Sequence, residues 1–235
     1  MFKFFKKDNN TLIIKDKPLE VIDFVKTNNY ANKQLYYYFY IPETILNRSE
    51  KSFPLMILVS GLSGDGKSFV QDVFKNFAEE EKFIILSPSF MFDEKNWQIA
   101  KSYQYPEVWS GNALLKIIAN MNKTGYKFTG YYLYGFSAGA QFVLRFTLWK
   151  PDVCICCSAH AGGGRIIPDK YVNTSYLVTA GDKDTHRLEH AEAFHYECQK
   201  LNIKSTLIKY NGGHSQFKEQ IQNTIEFFKY FKNAL

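Results

Sequence analysis

Cysteine is scarce in this sequence, and its four copies are badly placed for disulfides. Cys154, Cys156 and Cys157 crowd one apolar stretch and Cys198 stands alone, so buried free thiols in a reducing compartment are expected. Long hydrophobic runs are missing too. No segment approaches the ~18 apolar residues that a membrane helix needs. The start, Met1-Phe2-Lys3-Phe4-Phe5-Lys6-Lys7, is basic and aromatic but lacks the apolar stretch of a secretory signal. A cytoplasmic protein without a membrane span is therefore expected. Nor is charge of one sign concentrated anywhere. The net charge of +6 is carried by scattered residues such as Lys15, Lys67, Lys200 and Lys232, which describes a solvated surface and leaves no footprint for nucleic acid. Repeats, low-complexity tracts and an obvious linker are absent.

What remains is a chain of 235 residues, 46% hydrophobic and 22% charged, long enough to bury a core without metal or disulfide staples. Apolar runs with strand character fall at Gln34–Ile41, Leu55–Ser60, Phe83–Ser87, Tyr131–Phe136, Val153–Ser158, Ser175–Ala180 and Ser205–Tyr210. Several lack polar alternation, as strands covered on both faces do. Helical periodicity fills the gaps at Lys67–Glu81, Asn112–Met121, Ala138–Trp149, Leu188–Leu201 and Gln216–Phe231. Alternation of the two types predicts an α/β fold with a mostly parallel sheet. Residues 1–33 are the least regular part, expected as an extension that adds an edge strand or hairpin to the core at 34–235. The segment Met91–Gly111 is long for a connection and rich in aromatics, among them Tyr103 and Trp109. It is either a packed surface excursion or part of a substrate pocket or cap.

Three motifs compete for the chemistry. Gly61, Gly66, Lys67 and Ser68 fit the phosphate-loop pattern G-x-x-x-x-G-K-[ST] directly after an apolar run. His186-Arg187-Leu188-Glu189-His190 fits H-x-x-E-H, in which histidines four apart on a helix share a zinc ion. No third ligand is evident there, so a solvated helix start is expected and no metal. The third is Gly135-Phe136-Ser137-Ala138-Gly139, entered from an apolar strand and left by a helix. A backbone reversing that sharply needs glycines, and it lifts the serine hydroxyl clear of the sheet.

A serine nucleophile needs a base, and the base needs an orienting acid. Both stand downstream, each after an apolar strand: Gly181-Asp182-Lys183-Asp184, then Asn211-Gly212-Gly213-His214. The phosphate-loop motif cannot account for these features, whereas a hydrolase also uses a loop of exposed N–H groups beside a helix start. His160, in Ser158-Ala159-His160-Ala161-Gly162-Gly163-Gly164, either lines the pocket or satisfies a loop hydrogen bond.

On these motifs the region from about residue 34 to 235 resembles the α/β-hydrolase superfamily, in the style of compact bacterial esterases of the polyhydroxybutyrate-depolymerase and dienelactone-hydrolase kind. The resemblance implies a three-layer α/β-hydrolase fold with helices on both faces of the sheet. It also implies a G-x-x-D turn selecting Asp184 as the acid, with Asp182 in reserve, and so a Ser137–His214–Asp184 triad. The family carries His-Gly after its third strand, where this chain has Ser60-Gly61. By that match the N–H groups of Leu62 and Ala138 form the oxyanion hole. A serine esterase acting on small-molecule carboxylic esters without a cofactor is the expected function. Peptides, thioesters and lactones stand behind esters as substrates. Two alternatives belong to other classes: a nucleotide-binding enzyme using Gly61–Ser68, and a hydrolase-like binding module with a silent triad.

Overall fold

The computed structural model describes residues 18–26, 34–46, 48, 52–62, 64–90 and 102–234. Among these residues eight strands form one sheet: β1 (Leu19–Lys26), β2 (Gln34–Ile41), β3 (Ser52–Val59), β4 (Ile84–Pro88), β5 (Lys127–Phe136), β6 (Cys154–His160), β7 (Ser175–Gly181) and β8 (Ser205–Tyr210). Their order is β1-β2-β4-β3-β5-β6-β7-β8. β1 runs antiparallel to β2, and β2 antiparallel to β4; every other pairing is parallel. β1, Leu19–Lys26, lies at one edge of the sheet, while 1–17 and 27–33 lie outside the described residues.

The period of two along each central strand divides the core into two layers. Leu55, Ile57 and Val59 of β3 face one side; Met56 and Leu58 face the other. Beyond two short helices, α1 (Glu43–Leu46) and α2 (Gly66–Phe69), the long helices are α3 (Asp72–Glu81), α4 (Gly111–Lys123), α5 (Ala138–Trp149), α6 (Thr185–Lys200) and α7 (Lys218–Asn233). One layer takes Leu114 and Ile117 of α4, Phe142 and Phe146 of α5, and Phe194 of α6. The opposite layer takes Phe74 and Phe77 of α3 with Ile221, Ile225 and Phe228 of α7. Every residue of β4 and β7 is buried, which explains their unbroken apolar runs. All four cysteines are buried and unpaired, and burial pushes the Cys198 thiol up to about 12. Among the described residues, no helix is long and apolar enough to cross a membrane.

The single helix expected over Lys67–Glu81 is two. Val70 and Gln71 are extended (φ/ψ −80/95 and −75/156), and α3 starts afresh behind them. The break turns Val70 into the α3 layer while the Phe69 ring stacks on Tyr134 at 5.7 Å. Tertiary burial here overrides helical periodicity. In the segment Met91–Gly111, residues 91–101 lie outside the described residues. The remainder carries a π-helical turn, Pro106–Ser110, that leads straight into α4.

Candidate active site

The site gathers at the carboxyl ends of β3, β5, β7 and β8, where the parallel strands hand over to loops. β5 delivers Ser137 at a turn of minimal radius. A Cβ on Gly135 would come within 2.4 Å of the Gly139 carbonyl oxygen, and one on Gly139 within 2.1 Å of the Val59 oxygen. Only hydrogen fits at either place, so the strand, the turn and the neighbouring β3 interlock. Ser137 itself takes φ 55, ψ −114, a conformation costing about 1–3 kcal/mol for a non-glycine residue. Its N–H is anchored on the His160 carbonyl at 2.9 Å, and its hydroxyl makes no cap bond to α5. The side chain is held out and left available.

β7 and β8 supply the partners. The Ser137 hydroxyl lies 3.0 Å from Nε2 of His214, and Nδ1 of His214 lies 2.7 Å from Oδ2 of Asp184. A carboxylate only accepts, so Nδ1 carries the ring proton and Nε2 is the acceptor facing the hydroxyl. Asp184 is 8% exposed, and Arg187, three residues on, donates to its other oxygen at 3.2 Å. Asp182 does something different. Its Oδ1 accepts the Gly212 N–H at 2.9 Å, and the N–H groups of Asp182 and Lys183 bond the carbonyls of Tyr210 and Gly212. It clamps the histidine-bearing loop, while Asp184 alone of the two contacts the imidazole.

His160 lies beneath the site and is fully buried, so it lines no open pocket. Its Nε2 faces the Ser215 carbonyl at 2.8 Å and must donate to it. Its Nδ1 then accepts the Thr179 hydroxyl proton at 2.6 Å. Burial lowers its pKa to about 4, consistent with a neutral ring. Through Ser215, His160 holds the residue next to His214, and the Phe136 ring lies against both imidazoles at 5.7 and 5.1 Å. The sequence shows a histidine at a strand end, but its partner, Ser215, lies 55 residues away and carries no local signature. Trp109, the other residue expected at a pocket, is 8% exposed and packs edge-on against Phe90 in the core.

The glycine loop after β3 reaches the serine from the other side. A Cβ on Gly61 would lie 3.5 Å from that of Ser137, in ordinary contact. Leu62 follows it at the surface, 47% exposed. Ala138 is the first residue of α5, so its N–H has no acceptor within the helix. The carbonyls of Ser60 and Gly61 accept from the buried hydroxyl of Tyr103 at 3.2 and 2.9 Å, an anchor with no signature in sequence.

The phosphate-loop motif is accounted for without a nucleotide. The Gly66 N–H donates to the Ser89 hydroxyl and the Lys67 N–H to the Asp65 carboxylate, so amides that would cradle a phosphate are already used. Gly66 is glycine because a Cβ would lie 2.3 Å from the Ser87 carbonyl. In the H-x-x-E-H run, the rings of His186 and His190 stand 4.3 Å apart. Among the described residues, no three His, Cys, Asp or Glu side chains are grouped to hold a metal.

No family model and no curated protein matches this sequence. Solved structures do. A ferulic acid esterase superposes with a TM-score of 0.71 at 14% identity, over 93% of this chain and 99% of its own. Poly(aspartic acid) hydrolase-1 from Sphingomonas sp. KT-1 does so at 0.63 and 20%, covering 92% and 98%. The fluorophosphonate-binding serine hydrolase F of Staphylococcus aureus gives 0.67 and 12%, covering 90% and 98%. With the strand order above, these likenesses define the architecture as the three-layer α/β-hydrolase fold.

Proposed function

We propose that this protein is a serine hydrolase of carboxylic esters. The observation that carries the proposal is the unbroken line of hydrogen bonds from the Ser137 hydroxyl through His214 to Asp184, at 3.0 and 2.7 Å. The likeness to a ferulic acid esterase and to a fluorophosphonate-binding serine hydrolase supports the same chemistry.

In this scheme Oγ of Ser137 attacks the ester carbonyl carbon while its proton passes to Nε2 of His214. Asp184 stabilises the imidazolium and keeps the ring in the required tautomer. The carbonyl oxygen, now negative, is received by the N–H groups of Leu62 and Ala138, each worth a factor of ~10²–10³ in rate. Collapse expels the alkoxide, which takes the proton from Nε2, and leaves an ester on Ser137. Water then gives a proton to Nε2 and attacks that ester. The second collapse releases the carboxylic acid and returns the proton to the serine. No cofactor enters the scheme.

The test is labelling with a fluorophosphonate probe followed by peptide mapping. Modification of Ser137 alone, blocked by Ser137→Ala and suppressed by His214→Ala, is expected. Reaction at another residue, or none in folded protein, would overturn the proposal.

A further inference from the structure

The loop after β3 is held by a side chain distant in sequence. Ser60 is buried, whereas Leu62, two residues on, is 47% exposed. The support comes from 42 residues away. The Tyr103 side chain is 1% exposed, and its hydroxyl shares one proton between the carbonyls of Gly61 (2.9 Å) and Ser60 (3.2 Å). Its ring stacks on Phe90 with centroids 5.0 Å apart, and its own carbonyl accepts the Ser110 hydroxyl proton at 2.7 Å. Ring, backbone and hydroxyl are each fixed. Burial raises the phenol's pKa, so it stays a donor throughout the working range.

The Gly61 carbonyl and the Leu62 N–H belong to one planar trans peptide group and point in opposite directions. Holding the oxygen therefore holds the N–H. The same oxygen also accepts the Gly64 N–H at 3.1 Å, so the peptide cannot turn without losing two bonds. Hydrogen bonds received by a carbonyl also polarise the amide and make its N–H a stronger donor. We infer that Tyr103 is a positioning residue for ester hydrolysis, aiming and strengthening the Leu62 N–H through the peptide group it shares with the Gly61 carbonyl. The inference rests on the proposed role of Leu62 as an oxyanion donor.

Tyr103→Phe keeps the ring and its stack and removes only the hydroxyl. Active Ser137 is titrated with a fluorophosphonate, and steady-state hydrolysis of an aryl ester is measured per titrated site. The expected result is a kcat lowered about 10–100-fold, short of the ~10²–10³ for losing a donor outright, with KM within about threefold. An aryl boronic acid, which forms a tetrahedral adduct on the serine, should weaken by a similar factor. A kcat per titrated site within about twofold of the parent, or a loss confined to KM, overturns the positioning role. Ser137→Ala separates the two levels. If it is inactive while Tyr103→Phe is unaffected, only this inference falls; if it hydrolyses the ester at the parent rate, the proposed function falls and takes the inference with it.

Discussion

Two glycine-bearing turns meet at the site, and both match a motif for chemistry: Gly61–Ser68 after β3 and Gly135–Gly139 after β5. In each, a glycine is required because a neighbouring carbonyl oxygen stands 2.1–2.4 Å from where a Cβ would be. They differ in what is left over once internal bonds are counted. In the first, the N–H groups of Gly66 and Lys67 are used by Ser89 and Asp65, and α2 is a single four-residue turn. In the second, Ser137 is forced to positive φ, makes no cap bond, and presents its hydroxyl to His214. A glycine pattern reports close approach of backbones; the groups that remain unpaired decide the chemistry.

The largest effect that could break this comparison is at the proposed acid, Asp184. Asp184→Asn would offer an N–H to the imidazole, reverse its tautomer and lower kcat by about 10⁴, whereas Asp182→Asn still accepts the Gly212 N–H and should cost under about tenfold. Equal losses in ester hydrolysis would contradict the division of labour between the two carboxylates.

A smaller effect sharpens the view of the floor beneath the serine. His160 has its folded pKa lowered to about 4 by burial, against about 6.5 in an unfolded chain. Between those values the unfolded state binds a proton that the folded state refuses, so stability rises with pH across that window. Its contribution is complete above about pH 6.5 and falls away as pH drops towards 4, by up to about 1.4 kcal/mol per unit. Urea midpoints at pH 7, 6 and 5 measure the slope, and His160→Gln should flatten it. An unchanged slope would mean that this ring is not the buried neutral group described.

The smallest expected effect belongs to the lysine of the phosphate-loop motif. Lys67 is exposed on the short α2, so Lys67→Ala should leave ester hydrolysis within about twofold and confer no change in any nucleotide affinity. A hundredfold loss would restore the phosphate-loop motif to relevance.

Local features are the ones legible in the sequence. The strand, glycine turn and helix around Ser137 occupy contiguous residues, and Asp184 and His214 each follow an apolar run, so the α/β alternation could be read from the pattern and the resemblance to hydrolases from these motifs. The strand limits came within a few residues because β4 and β7 are buried on both faces. What stayed hidden depends on contacts between distant segments. The break at Val70–Gln71 follows from burial under α3 and against Tyr134. The separate duties of Asp182 and Asp184 follow from how two loops zip together. The His160–Ser215 and Tyr103–Gly61 bonds span 55 and 42 residues, and no periodicity or motif encodes either.

The most direct test of the central claim is to catch the covalent intermediate. Mixing the protein with an activated aryl ester, quenching in acid within the first turnover and mapping peptides by mass should find the acyl group on Ser137, with a burst of phenol matching the number of active sites. Steady turnover with Ser137 unmodified at every early time, or the acyl group on another side chain, would contradict the account.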